Sequence, residues 1–144
     1  MTKVIDVLNG QLADWSVLYV KLHDYHWNVK GSNFYTLHVK FEELYNEASL
    51  FVDAVAERIL ALGGKPGSTM KAFLEQSKVT EASGSEDAAA MVRSLADDFA
   101  GIADRLGEGA VIADEAGDSP TADLLVTRKE EVQKHLWMLR AFLG

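Results

Sequence analysis

Four stretches of the chain place apolar residues alternately three and four positions apart, which is the spacing of an α-helix with one apolar face. No stretch alternates apolar and polar residues over a useful length, so we expect no β-strands. The chain is therefore predicted to be all-α, with four long helices. In chain order, the apolar stripes are Leu8, Leu12, Trp15, Tyr19 and Leu22; Leu37, Phe41, Leu44, Ala48, Phe51, Val55, Ile59 and Leu62; Ala88, Met91, Leu95, Phe99, Ile102, Leu106 and Val111; and Leu125, Val132, Leu136, Leu139 and Leu143.

Glycines mark the ends of the first two helices. The segment Gly31-Ser32-Asn33 separates the first helix, expected from about Val4 to Val29, from the second, which ends at Gly63-Gly64. The stretch from Ser68 to Gln76 predicts a short extra helix in the connection between the second and third long helices. A single long crossover of this kind is typical of a ferritin-like four-helix bundle.

Polar residues predict where the last two helices begin. Ser85 precedes two acidic residues and is the expected N-cap of the third long helix, which should end near Gly117. Ser119 and Pro120 are expected to be the N-cap and the first residue of the fourth.

The composition limits the kinds of function. A chain of 144 residues, 48% of them apolar, is expected to fold as one domain over residues 1–144. It has no cysteine, which excludes disulfide, zinc–thiolate and iron–sulfur sites and suits a reducing cytoplasm. No apolar run reaches the roughly 20 residues of a membrane helix, and no signal peptide is expected, so we expect a cytoplasmic protein. The net charge of −8 opposes binding to polyanions and attracts cations.

Residues with metal-binding side chains gather between the end of the first helix and the end of the second. They are His26, His38, Glu42, Asp53 and Glu57. His38 and Glu42 are four residues apart, as are Asp53 and Glu57, so each pair projects from one face of the helix. Glu42 and Asp53 are separated by about three turns, which places both pairs on nearly the same stripe. Oxygen and imidazole ligands without thiolates suit a redox metal such as iron.

One helix cannot bring both pairs to a single metal ion, because three turns of helix span roughly 16 Å. A second copy of the helix, antiparallel across a two-fold axis between Asn46 and Ser49, can do so. Residue 38 then meets residue 57 of the partner, and residue 42 meets residue 53. The small residues Ala48 and Ser49 would allow the helices to approach. The pattern predicts an isologous dimer with two identical sites, each built from both chains.

Two alternatives to this dimer can be compared with it, and only the second remains open on spacing alone. A site inside one bundle, as in ferritins, requires Glu-x-x-His pairs on two helices, and the chain contains none. A solvated acidic face with two incidental histidines fits the same spacing as well as a metal site does. His26 favours the metal site, because it continues the apolar stripe of the first helix, where a histidine needs a polar partner.

At these residues the chain resembles the Dps proteins, or miniferritins. The resemblance is carried by HWNVKG at 26–31, by TLH and KFEELY within 36–45, and by a D-x-x-A-E-R element at 53–58; it extends to the closing KHLWMLRAFLG. It is strongest toward the short Dps-like proteins of Gram-positive bacilli. It implies a ferroxidase that stores iron in a hollow homo-dodecamer and protects the cell from oxidative damage.

The resemblance also implies the ligands of an iron site at each two-fold interface. His26, His38 and Glu42 would come from one subunit, and Asp53 and Glu57 from the other. Fe(II) bound there would be oxidised preferentially by hydrogen peroxide. Glu42 stands where many members carry aspartate, so its carboxylate is shifted by about one methylene, which bears on how fully the second iron position is occupied.

Two further roles come from the resemblance. Asp118 and Asp123 match acidic positions that line three-fold pores through which iron enters, although acidic residues are also common at a helix N-terminus for dipole reasons. Trp27 would trap stray oxidising equivalents, although a role in packing explains an aromatic residue at this position at least as well. We assign no role to His23 or His135.

The main alternative function is a DNA-binding protein that protects the nucleoid, since some Dps proteins coat DNA with a mobile tail rich in Lys and Arg. Here Lys3 is the only basic residue before the first helix, and no basic extension follows the last. We therefore expect no direct binding to DNA.

Overall fold

The computed structural model describes all 144 residues, and every regular element in it is a helix. The elements are α1 (Thr2–Asn28), α2 (Phe34–Ala61), α3 (Met70–Gln76), α4 (Ala88–Glu115) and α5 (Ser119–Leu143). The prediction of four long helices with a short extra helix in the crossover is confirmed. None of the helices is long and apolar enough to cross a membrane.

The long helices form two antiparallel pairs. α1 packs along α2, α4 packs along α5, and α1 also contacts α4 and α3. The apolar stripes meet in one continuous core, because their three-and-four spacing gives each helix one buried face. Tyr19, Val111 and Leu143 belong to the sequence stripes but are exposed. At Val111 the neighbouring Ala110 and Ala113 occupy the inward positions instead.

Aspartates, rather than the expected serines, cap α4 and α5. The Asp87 carboxylate accepts a hydrogen bond from the Ala90 amide at 2.8 Å, so the cap of α4 lies two residues after the predicted cap Ser85. The Asp118 carboxylate accepts one from the Thr121 amide at 3.1 Å, which makes Ser119 and Pro120 the first two residues of α5. The prediction of both caps was therefore wrong by one or two residues.

Polar side chains of α1 hold the crossover against the bundle. The buried Asp14 carboxylate accepts hydrogen bonds from the Lys78 amide at 2.7 Å and from the Arg105 guanidinium at 2.8 Å. Lys21, also buried, donates to the Thr80 carbonyl at 2.6 Å and to Asp98 at 2.7 Å. The crossover is thus fixed by charged groups paired in the interior, which a helical pattern does not reveal.

Long polar side chains bridge the seam between α2 and α5. The His135 Nε2 and a Glu47 carboxylate oxygen lie 2.6 Å apart, and Arg128 donates to the Glu47 carbonyl at 2.9 Å. The Arg128 guanidinium also lies 4.8 Å from the ring centre of Trp15 and 4.7 Å from that of Phe51. This seam therefore combines side-chain hydrogen bonds with cation–π contacts.

Candidate metal centre

Two histidines, one at the end of α1 and one in the first turns of α2, hold each other in place. The His26 Nδ1 lies 2.7 Å from the His38 carbonyl oxygen, and the His38 Nδ1 lies 2.7 Å from the His26 carbonyl oxygen. The two rings stack with centres 3.7 Å apart and planes 13° apart. The tight Gly31 turn, with φ of 105°, brings the two helix ends together.

This reciprocal arrangement selects one tautomer for both rings. A carbonyl oxygen only accepts hydrogen bonds, so each Nδ1 must carry the proton and donate. The Nε2 of each neutral ring is then left with its lone pair, which is the form that binds a metal ion. A histidine whose other ring nitrogen donates to a carbonyl is the usual arrangement of a metal ligand.

Aromatic rings support the histidine pair on both sides. Phe34 stacks on His38 with ring centres 4.9 Å apart, and Tyr45 meets His26 edge-on at 5.3 Å. The sequence analysis missed both residues. Their spacing could have indicated them, since Tyr45 lies two turns after His38 on α2 and Phe34 lies one turn before it.

Glu42 lies beside the two histidines and forms a candidate half-site with them on this chain. Its Oε1 lies 3.8 Å from the His26 Nε2, which is too long for a hydrogen bond. Two ligand atoms that each lie about 2 Å from a shared cation are at most about 4 Å apart, so this separation lies within reach of one cation but near the upper limit. The Glu42 side chain is half-exposed, so a cation can reach it from solvent. Three of the residues selected from the sequence are therefore brought together by the fold.

Asp53 and Glu57 lie farther along α2, away from this half-site. Both are exposed, and no group of three His, Asp or Glu side chains within the chain could hold a metal ion. The exposed residues Glu42, Asn46, Ser49, Asp53 and Glu57 form one stripe on the outer face of α2. Ala48, which we expected beside a two-fold axis, is instead buried in the core, because it belongs to the apolar stripe of α2.

The Tyr45 phenol lies next to this half-site. Its pKa is raised, first by partial removal from water and second by the negative charge of Glu42. The same ring stacks on His23, with centres 3.8 Å apart and planes 19° apart, and His23 Nδ1 donates to the Tyr19 carbonyl at 2.8 Å. His23 therefore packs against the half-site through Tyr45.

Trp27 is 70% exposed, and its ring contacts His23 rather than His26 or His38. The second unassigned histidine, His135, lies at the α2–α5 seam. Its partner is Glu47, not the Glu131 one turn before it in the sequence, because Glu131 pairs with Arg128. Neither His23 nor His135 belongs to the half-site.

The two aspartates suggested for a pore differ in their environment. Asp118 is only 5% exposed and is bound by Thr121 and by Arg58, whose Nη2 lies 2.8 Å away. Burial alone would raise the pKa of Asp118, but the hydrogen bonds from Thr121 and the Arg58 charge outweigh it and lower the pKa. Asp123 is exposed and carries no polar partner within the chain. Of the two, only Asp123 presents its carboxylate to solvent.

Comparisons with family models and with known proteins point to the same family. The ferritin-like domain family matches residues 5–144. The DNA protection during starvation protein 2 of Bacillus anthracis is 52% identical over 142 residues, covering 99% of this chain and 97% of that protein.

Solved structures agree with the sequence matches. A crystal structure of a Dps protein from Bacillus brevis is 52% identical and superposes with a TM-score of 0.97, covering 98% of this chain and 95% of that one. A Dps protein from Vibrio cholerae, described as a member of a broad superfamily of ferritin-like diiron-carboxylate proteins, is 34% identical with a TM-score of 0.95, covering 99% and 90%.

Proposed function

Since the chain belongs to the ferritin-like family, and within it to the Dps proteins, we propose that it oxidises Fe(II) and stores the Fe(III) product in a hollow homo-dodecamer. The protein would thereby remove free Fe(II) and peroxide and protect the cell from oxidative damage. Iron is the substrate and the stored cargo of this reaction.

The observation that carries the proposal is the half-site of His26, His38 and Glu42. The reciprocal hydrogen bonds leave both Nε2 atoms without a proton, and the Glu42 Oε1 lies 3.8 Å from the His26 Nε2. A solvated acidic face with incidental histidines would not require two mutually locked rings of the same tautomer. The geometry therefore favours the metal site over that alternative.

We place the other half of each site on a partner subunit. The exposed stripe on α2 is centred between Asn46 and Ser49, so an antiparallel copy would bring Asp53 and Glu57 of that copy toward Glu42 and His38. Two carboxylates added to two imidazoles and Glu42 give a ligand set that suits two iron ions with open positions for an oxidant.

Hydrogen peroxide is the oxidant that best matches a two-iron site. It accepts two electrons, one from each Fe(II), and with two protons it yields two waters and two Fe(III). Paired oxidation of this kind leaves no one-electron product of peroxide.

Asp123 at the start of α5 is the better candidate for a pore through which iron enters, because Asp118 is engaged by Arg58 and Thr121.

Neighbouring glutamates on α2 provide a matched test. Glu42→Gln removes a proposed ligand, while Glu43→Gln removes the same charge from a residue that pairs only with Lys40. We expect Glu42→Gln to slow Fe(II) oxidation by peroxide at least tenfold in stopped-flow measurements, and Glu43→Gln to oxidise iron at nearly the wild-type rate. Parallel reactions with oxygen report the preferred oxidant. Equal rates for the two variants would contradict the assignment of Glu42.

We do not propose DNA binding as a second function. The related protein from Bacillus anthracis is named for DNA protection. However, the charge of −8 on each subunit opposes association with a polyanion, and assembly multiplies that charge. Protection of DNA would then follow from removal of Fe(II) and peroxide, without binding.

A further inference from the structure

The crossover ends in a loop that folds around one carboxylate. Glu86 accepts hydrogen bonds from the Ser83 amide at 3.1 Å, from the Ser83 hydroxyl at 2.7 Å and from the Gly84 amide at 3.0 Å. These donors belong to the loop itself, so they fix the carboxylate without help from another helix. The fourth donor is the Tyr25 hydroxyl of α1. A hydrogen bond to a carboxylate is stronger than one between neutral groups, so this contact ties α1 firmly to the crossover.

Tyr25 holds the last turn of α1 in place. It is fully buried, whereas Trp27 and Asn28 of the same turn are exposed. Its ring lies 6.0 Å from the ring of Phe41 on α2, and its carbonyl oxygen accepts a hydrogen bond from the Val29 amide at 3.0 Å. No further turn follows to support this end of the helix, so its geometry depends on such side-chain contacts.

His26 directly follows Tyr25 in the chain. Its Nδ1 and its carbonyl oxygen must both stay within hydrogen-bond distance of His38 to keep the stacked pair. We propose that Tyr25 is a positioning residue, whose hydrogen bond to Glu86 sets the place of His26 and thereby the affinity of the half-site for Fe(II). The inference rests on the proposed function, because it takes His26 to be an iron ligand. Tyr25 acts through His26 and is not itself a ligand.

Neighbouring polar contacts of α1 act elsewhere. Lys21, one turn before Tyr25, donates to the Thr80 carbonyl and so holds the middle of the crossover. Asn28 donates only to the carbonyl and the carboxylate of Asp24, on its own helix. Within the last turn of α1, the Tyr25 hydroxyl is therefore the group that reaches the crossover.

Two substitutions around the same carboxylate separate positioning from general stability. Tyr25→Phe keeps the buried ring and removes only the hydrogen bond between α1 and Glu86. Ser83→Ala removes a donor to the same carboxylate but keeps the bond from α1. Co(II) is the probe, because it binds oxygen and imidazole ligands as Fe(II) does. In calorimetric titration of the metal-free assembly, Tyr25→Phe should weaken Co(II) binding about threefold or more, and Ser83→Ala should bind with the wild-type affinity.

Two further readouts distinguish a displaced ligand from a less stable fold. In stopped-flow oxidation by peroxide, Tyr25→Phe should raise the Fe(II) concentration for half-maximal rate and keep the maximal rate within about twofold. Hydrogen exchange of the metal-free assembly over residues 25–29 should quicken in Tyr25→Phe and not in Ser83→Ala. Wild-type Co(II) affinity in Tyr25→Phe, or an equal loss in both variants, would overturn the inference.

Substitutions of the acceptor decide the question if Tyr25→Phe does not assemble. Glu86→Ala leaves the hydroxyl without an acceptor and should weaken Co(II) binding, whereas Glu86→Gln keeps an oxygen acceptor and should recover most of the affinity. Equal affinities for these two variants would argue against a positioning role. A wild-type assembly that neither binds Co(II) nor oxidises Fe(II) would contradict the proposed function, while the exchange data still test whether Tyr25 holds the end of α1.

Discussion

At the scale of single residues, the reciprocal contacts matter more than the residue types. His26 and His38 could be selected from the sequence, but the partner of each ring is the backbone carbonyl of the other residue. No spacing rule predicts such a contact, because it depends on how the turn at Gly31 closes α1 onto α2. For the same reason, the tautomer that makes both Nε2 atoms available could not be predicted from the sequence.

The contacts of Asp118 likewise could not be predicted from spacing, and they lead to a testable prediction. Its carboxylate caps α5 and binds Arg58, so we expect Asp118→Asn to lower the free energy of unfolding by about 1 to 3 kcal/mol at neutral pH. The pKa of Asp118 is lowered in the folded state, so this stability is present above the ordinary carboxyl pKa and is lost as pH falls through the folded value. Thermal unfolding at neutral pH and below pH of about 3 should show the difference between wild type and variant shrinking in acid.

Asp123→Asn is the matched control for this prediction, because Asp123 is exposed and has no polar partner. Its effect should stay within about 0.5 kcal/mol at any pH. Equal losses for the two variants would mean that the Asp118–Arg58 contact adds no stability.

At the scale of helices, the sequence was a good guide because the apolar spacing was regular over long stretches. The boundaries of α1 and α2 fall within one or two residues of those expected, and α3 begins at Met70 rather than Ser68. The caps of α4 and α5 were misplaced because serine and aspartate both serve as N-caps and stood close together. The polar contacts that fix the crossover had no sequence signal, since their partners lie more than 50 residues apart.

The contacts of Asp14 give a prediction at this scale. Asp14→Asn keeps the shape of the side chain but removes the charge that holds the Lys78 amide and Arg105. We expect the free energy of unfolding to fall by about 2 to 4 kcal/mol, because the Lys78 amide and Arg105 lose a buried, charged acceptor. Hydrogen exchange should quicken mainly at residues 77–80, where the crossover is attached. Asp6→Asn, at an exposed position on the same helix, should leave that exchange unchanged.

At the scale of the whole molecule, charge and assembly decide which partners are possible. Every subunit carries a net charge of −8, so any closed oligomer is strongly acidic. We expect the mobility of duplex DNA in a gel to be unchanged by this protein in the presence of a chelator, since two like-charged surfaces gain nothing from counterion release. A clear shift at moderate salt with chelator present would contradict this expectation.

The prediction that best separates the possible sites also belongs to this scale. If each site is built from two chains, defects on different chains should complement one another. One variant lacks His38 and Glu42, and a second lacks Asp53 and Glu57, so both sites are broken in either homodimer. In a mixed dimer, one site takes His38 and Glu42 from the second variant and Asp53 and Glu57 from the first, and is intact. The other site collects every defect.

The expected recovery follows from random pairing. After dissociation and reassembly of equal amounts, half of the dimers should be mixed, and each has one working site out of two. About a quarter of the wild-type peroxide-dependent Fe(II) oxidation should therefore return. A site within one chain predicts no recovery, because neither variant subunit carries a full ligand set. Sedimentation must show that the mixture re-forms the oligomer, and reassembled wild type serves as the control. If such a mixture stays inactive while the control oxidises iron, the pairing of α2 helices across a two-fold axis is wrong.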